Sequence, residues 1–384
     1  LGGWDFEVRF FLKGFLGHLL FSVKFLFLVM NKTKIWLTSI FSVSLIGFLA
    51  WIFLDTSPMP ENGVVVLQED LDEANQKSVL EKITEQVFEP EHLDTTDFER
   101  RVKALAHDSI PKPWQVFTVI PEKGALLPFH RIVAMYGNFY SKNMGILGRI
   151  PEDELKNLFQ KELEFWTQAD SATPALPAVH YIAITAQKDP GKESAYRIRM
   201  PEAQIQKAIE LGRSMNGITF LDVQIGHSSV EREVPTLEKY LLEKDVHLGL
   251  DPEWSMKDGS VPGTKIGTMD AAEINFAIEY LSKLVKENGL PPKILVVHRF
   301  TRNMITNHQD IKATPQVQVV INMDGFGFPA KKVSSYRSYV GGMPVQFTGI
   351  KLFYINDTLD APHRLMTPQE IFKLYPKPIY IQYQ

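Results

Sequence analysis

The stretch Val246-His-Leu-Gly-Leu-Asp-Pro-Glu-Trp254 is an apolar run that stops at two carboxylates, Asp251 and Glu253, with a proline between them and an indole after them. Residues at i and i+2 of an extended strand share a face, so both acids project together from the end of one buried strand. Each ionised carboxylate beside an apolar core costs on the order of several kcal/mol unless it is paired or hydrated. That cost marks the end of this strand as a candidate site.

Seven further runs of similar character surround it, at 132–136, 179–185, 218–224, 294–298, 317–324, 348–354 and 379–383. Helical stretches at 151–167, 201–215, 235–244 and 270–288 separate the earlier runs, several of them opened by Pro, Asp or Thr as helix starts are. Thinner helical candidates follow at 302–306, 335–340 and 367–374. Eight apolar strands in roughly 250 residues predict an α/β fold, a (β/α)8 TIM-barrel-like domain whose strands are buried on both faces. A doubly wound open sheet has a similar rhythm, but no Gly-rich phosphate loop follows the first strand, and Tyr136-Gly-Asn138 does not supply one.

Polar residues collect where the strands end. They are Tyr136 and Asn138, Thr185 and Gln187, Asp222 and Gln224, Asp251 and Glu253, His298, Asn322 and Asp324, Tyr354 and Asn356, and Gln382 and Gln384. A barrel gathers all eight C-terminal ends around one mouth, so these side chains are expected to converge on a polar, acidic pocket. Such a carboxylate cluster splits acid and base roles in glycosidic cleavage, binds a hard cation, or holds Arg and Lys in a structural network.

Within the cluster Glu253 is the candidate general acid, because contact with Trp254 and the anionic neighbour Asp251 both raise a carboxyl pKa. Asp251 and Asp222 would hold or share the proton, and Asp324 would position a water or stabilise positive charge on a sugar ring. Candidate substrate-binding residues are Tyr136, Asn138, Gln224, Trp254, His298, Arg299, Asn322, Tyr354 and Gln382. His298 with Arg299 and Arg302 reads as a basic counterweight to the acids, as a binder of an anionic substrate group, or as a core histidine. His227, His247 and His298 show neither H-x-H nor H-E-x-x-H spacing, so neither a metal site nor a cofactor is expected. The loop 254–267 is a candidate lid, and the segment 326–345, with Tyr336 and Tyr339, a candidate sugar-stacking wall.

The 246–253 stretch resembles the fourth-strand Asp-x-Glu ending of chitinase-type barrels and of the barrel muramidases that cut peptidoglycan. That resemblance implies a Glu acting at the glycosidic bond. The chitinase pattern has a further Asp where Gly249 stands, which puts substrate-assisted cleavage through an acetamido group in doubt, and Gln382-Tyr383 adds to the muramidase likeness. Met135-Tyr-Gly-Asn, Leu250-Asp-Pro-Glu-Trp and the terminal Tyr-Gln are also similar to an uncharacterised family of bacterial exported proteins. This second resemblance implies an extracytoplasmic domain and no particular reaction.

The whole chain has 384 residues, a formal charge of -4 and 45% hydrophobic content, and nothing in that charge argues for nucleic acid. Cysteine is absent, which excludes disulfides, a thiolate nucleophile, Cys-ligated zinc and a lipidated cysteine. From Trp36 to Leu54 the chain is apolar and free of charge over a length that spans a bilayer, so a transmembrane signal-anchor is expected there. Lys32 and Lys34 precede it, and Asp55 and Glu61 follow it. The positive-inside rule then places the rest outside the cytoplasm, in the periplasm or at the cell surface. Residues 1–35 form an N-terminal segment in which Met30-Asn-Lys-Thr-Lys reads as a natural start. Residues 55–128 read as a helical stalk or linker, with helical periodicity at 70–87 and 96–107, and residues 129–384 as the barrel. The expected function is a membrane-anchored glycoside-hydrolase-like protein acting on an envelope or extracellular glycan. A non-catalytic glycan- or peptide-binding barrel and a metal-dependent hydrolase are the alternatives.

Overall fold

The computed structural model describes residues 93–108 and 119–384. The run from Trp36 to Leu54, the N-terminal segment and the 70–87 stretch lie outside the described residues. Among the described residues no helix is long and apolar enough to cross a membrane.

All eight predicted strands form. They are β1 (Arg131–Asn138), β2 (Ala175–Ala186), β3 (Ile218–Val223), β4 (Val246–Leu250), β5 (Lys293–Arg299), β6 (Val317–Met323), β7 (Phe347–Leu352) and β8 (Tyr380–Tyr383). Each pairs in parallel with its chain neighbour, from β2 through β8. Because β1 pairs with both β2 and β8, the sheet closes into a barrel. Closure leaves none of these eight strands with a free edge of its own along the ring.

The alternation of a strand sorts the side chains into two cores. Ile132, Ala134, Ala178, Phe220, Val296, Val320, Phe347 and Tyr380 belong to an inner cluster, and their neighbours Val133, Val179, Leu221, Leu295, Ile321 and Ile381 to an outer one. The inner cluster also takes Phe98, Val102 and Leu105 of α1 (Thr95–Leu105). Lys377 donates from its backbone to Leu105 just before β8, and Arg101 donates to the Ala172 carbonyl just before β2. The helix expected at 96–107 is thus a plug over the N-terminal end of the barrel, started by the Asp94 side chain, which accepts from the Asp97 N–H.

The outer helices follow the prediction where the sequence is strongly amphipathic. These are α2 (Glu152–Ala169), α3 (Glu202–Ser214) and α4 (Ala271–Asn288). The last has a capping box between Asp270 and Glu273, and ends at Gly289 with φ 60°. The stretch at 235–244 differs from expectation. It splits into short turns at Val230–Glu233, Val234–Leu237 and Glu238–Leu241, because Pro235 at the start of the middle turn cannot donate to a continuous helix. Between β5 and β6 no α-helix forms; 3-10 turns at Arg302–Met304 and His308–Asp310 flank a two-residue strand, Ile305–Thr306, that pairs with Met269–Asp270.

After β6, α5 (Pro329–Tyr336) brings Lys332 beneath the loop that follows β7. The Lys332 ammonium lies 3.0 Å from the Asp357 carboxylate and donates to the Gly325 carbonyl, with both charged side chains 1% exposed. Asp357 in turn accepts from the N–H groups of Gly327 and Phe353. This buried pair ties together the two loops that carry Phe326 and Phe353. Burial lowers the Lys332 pKa to about 8 against the pull of Asp357. Asp357→Ala strands that ammonium and two N–H groups, and is expected to cost about 3–5 kcal/mol. Thermal melting of the two proteins checks this, and an unchanged melting temperature would show that the pair holds nothing.

Candidate functional site

Inward-facing positions of successive strands change from apolar at the plugged end to polar at the other. Above Ile132 and Ala134 stands Tyr136, above Ala178 stands His180, and above Phe220 stands Asp222. Beyond Gly249 lies Asp251, beyond Val296 His298, beyond Asn322 Asp324, and beyond Gly349 Lys351. The 3-10 turn Pro252–Trp254 follows β4 directly. Asp251 caps it by accepting from the Glu253 N–H at 3.2 Å, and Pro252 supplies the fixed φ of its first residue. The turn alters the expected strand geometry, so Glu253 projects from a helical turn and not from a strand.

A cleft of about 710 Å³ opens at this end. Its lining includes Tyr136, Gln224, Asp251, Glu253, Asp324 and Lys351, the aromatic side chains of Trp254, Phe300, Phe326, Tyr339 and Phe353, and the cations Arg149 and Lys331. Phe326 is among the exposed large apolar side chains, at 53%. Aromatic faces beside carboxyl groups suit a ligand that has both apolar faces and hydroxyl edges.

The charges are linked in a chain. The Lys351 ammonium lies 3.2 Å from Asp324 Oδ1 and 3.6 Å above the Tyr136 ring centroid. Asp324 Oδ2 lies 2.9 Å from His298 Nδ1, and His298 Nε2 lies 3.6 Å from Asp222 Oδ1. Tyr136 donates its hydroxyl to Asp222 Oδ2 at 3.2 Å, and His180 Nε2 lies 3.3 Å from Asp222 Oδ1.

Ionisation follows from these contacts. Burial lowers the His298 pKa, but Asp324 and Asp222 outweigh it and raise it to about 10. Burial pushes Asp222 and Asp324 up. The His298 cation with a hydrogen bond from the His180 ring for Asp222, and the Lys351 and His298 cations for Asp324, hold both below the usual carboxylate range. His180 is pushed down to about 4 by burial, and Asp222 only partly restores it. Asp251 moves the other way, because burial raises it and His298 does not compensate. Glu253 is raised to about 7, first by burial and then by the Asp324 anion. Asp222 and Asp324 are thus the carboxyls held toward the ionised form and Asp251 and Glu253 those held toward the protonated form, with Glu253 poised near neutrality to give or take a proton.

The expected residues divide into three groups. Tyr136, Gln224, Asp251, Glu253, Trp254 and Asp324 line the cleft together. Asp222, His298, Asn322 and Gln382 are fully buried in the barrel interior, where Asn322 donates to Gln382 and Gln382 to the Tyr380 hydroxyl. Asn138, Arg299 and Tyr354, expected among the substrate-binding residues, do not line the cleft. Asn138 donates to the Ile182 carbonyl and accepts from the Tyr140 N–H. Arg299, on the outward parity of β5, donates to the carbonyls of Thr301, Arg302 and Ile305. Tyr354 stacks on Tyr383 and donates to Glu162 of α2.

Tyr336, expected in a sugar-stacking wall, is fully buried, with its hydroxyl on Thr348 and Pro376, whereas Tyr339 does line the cleft. The 254–267 loop is tied down at its base, since Gly267 donates to Glu253 and Met256 to Gly226. Sequence reasoning missed His180 and Lys351. Each is a lone ionisable residue inside an apolar strand, at the inward position after Ala178 and Gly349, and an ionisable residue within an apolar run was the available signal.

No protein-family model matches the chain, and no curated protein matches it. Among solved structures it is similar to a ruminal GH26 endo-β-1,4-mannanase, with 10% identity and a TM-score of 0.31 over 67% of this chain. The match spans 59% of the length of that enzyme. Identity and TM-score that low transfer none of that enzyme's chemistry to this chain, whose barrel rests on its own strand pairing.

Proposed function

We propose that this protein is a glycoside hydrolase acting on an envelope or extracellular glycan, with Glu253 as general acid and Asp324 as the ionised partner. One observation carries the reading: two carboxyl groups line one cleft in environments that push their pKa values apart, Glu253 up to about 7 by burial and Asp324 down, despite burial, beside Lys351 and His298. Environments that push two carboxyl pKa values apart assign the acid and its partner. Glu253 gives its proton to the glycosidic oxygen as the bond to the anomeric carbon breaks. Asp324 stabilises the positive charge that develops on the ring, and water supplies the hydroxyl of the new reducing end, its remaining proton passing through solvent to restore Glu253. Asp251 caps the turn that places Glu253 by accepting from its N–H. The apolar run from Trp36 to Leu54 supports anchoring to a membrane with the barrel outside, where such a glycan lies.

The purified protein is to be screened against peptidoglycan and defined oligosaccharides for new reducing ends. With a substrate found, kcat/KM is expected to hold on the acid side, where Asp324 stays ionised, and to fall above a pH near 7 as Glu253 loses its proton. Glu253→Gln is expected to lower turnover ~100-fold or more. Its effect on stability has the opposite sign. The raised pKa of Glu253 gives a contribution that is complete below its unfolded value and lost as pH rises through about 7. The glutamine variant should therefore melt above the wild type at pH 8 and together with it at pH 4. Full activity in Glu253→Gln would remove it as the acid, and glycan binding without turnover by the wild type would make this a binding barrel.

A further inference from the structure

We propose that His180 Nε2, Asp222 Oδ1 and His298 Nε2 bind one divalent transition-metal ion of the zinc class inside the barrel. The three side chains come from β2, β3 and β5, are 0% exposed, and bring these atoms within 4.8 Å of one another. Asp222 Oδ1 stands 3.3 Å from His180 Nε2 and 3.6 Å from His298 Nε2. Ligands at zinc bond lengths of ~2.0–2.1 Å around a tetrahedral ion are roughly 3.4 Å apart, so the two separations from Asp222 Oδ1 match edges of that polyhedron. None of the three atoms has a hydrogen-bond partner, although buried polar atoms nearly always do.

The remaining atoms of the same side chains are held from behind. Asp324 Oδ2 is 2.9 Å from His298 Nδ1, the Tyr380 hydroxyl is 2.6 Å from His180 Nδ1, and Tyr136 donates to Asp222 Oδ2. A carboxylate paired with one imidazole nitrogen favours the form that turns the other toward a metal, and the Tyr380 hydroxyl can accept from a His180 Nδ1–H in the same way. Space is kept open as well. A Cβ on Gly249 would lie 2.4 Å from Asp222 Oδ1 and 2.6 Å from His180 Nε2, so any other residue there would crowd the ligands. Two imidazoles and a carboxylate suit zinc and need no cysteine, which the chain lacks. On binding, the ion takes the place of the proton on His298 Nε2, which goes to solvent, and the ring keeps its Nδ1 proton toward Asp324. None of this rests on the glycosidase reading, since the trio lies behind the residues that line the cleft.

The test uses the purified full chain, stripped with chelator, dialysed and titrated with zinc chloride. Elemental analysis after gel filtration is expected to find one zinc per chain, and melting temperature to rise with zinc and fall with chelator. His180→Gln and His298→Gln should each remove most of the retained zinc, and Asp324→Asn, behind the ligand, should weaken binding by about ten- to a hundredfold. Circular dichroism shows whether each variant folds, and if one does not, the wild-type zinc content and melting shift still decide. A wild type that retains no zinc, with melting indifferent to zinc and chelator, overturns the proposal and leaves a proton-bridged ion network. Zinc retained undiminished by both histidine variants overturns the assignment of these ligands.

Discussion

Four carboxyl groups share one end of the barrel, and the cations that reach them are His298 and Lys351. His298 stands between Asp222 and Asp324, and Lys351 completes Asp324. A pair of unit charges at 4 Å is worth ~4 kcal/mol at the effective dielectric of a protein, enough to keep these two carboxylates ionised despite burial. No cation pairs directly with Asp251 or Glu253 among the described residues, and their pKa values rise. The reactivity proposed for Glu253 is thus a consequence of where the positive charge is spent. A metal ion on His180, Asp222 and His298 would reinforce the same side of that division.

The barrel makes this arrangement possible through a two-residue period. Inward positions near the strand starts are largely apolar and sealed by α1, with His247 and Gln318 bonded to backbone groups of Ile294 and Leu127, so charge is confined to the open end. Two inward glycines make room in the ring above. Gly249 leaves space beside Asp222 and His180, and Gly349 allows the Tyr380 ring and Asn322 to approach where a Cβ would come within 2.8 Å of both.

Much of this was legible in the sequence because buried strands write themselves as apolar runs. All eight strands and the convergence of Asp222, Asp251, Glu253 and Asp324 follow from those runs and from the rule that a barrel gathers its strand ends. The inner and outer faces were not legible, since strands buried on both sides carry no polar alternation to mark the parity. For that reason Arg299, one residue beyond His298, was placed in the cleft although it points out of the barrel. His180 and Lys351 stayed hidden among apolar neighbours for the same reason. Tyr354 was misplaced because the chain leaves the strand at Leu352, and a strand end is set by hydrogen bonding that composition does not record.

The central claim is that Glu253 is kept protonated to near neutrality by burial and by the Asp324 anion. The most direct measurement is the titration of the Glu253 carboxyl by carbon-13 NMR of glutamate-labelled protein, assigned through Glu253→Gln and repeated in Asp324→Asn. The account predicts a midpoint near 7 in the wild type and a lower one when the Asp324 charge is removed. A midpoint in the ordinary glutamate range in the wild type, or one that does not move in Asp324→Asn, would contradict it.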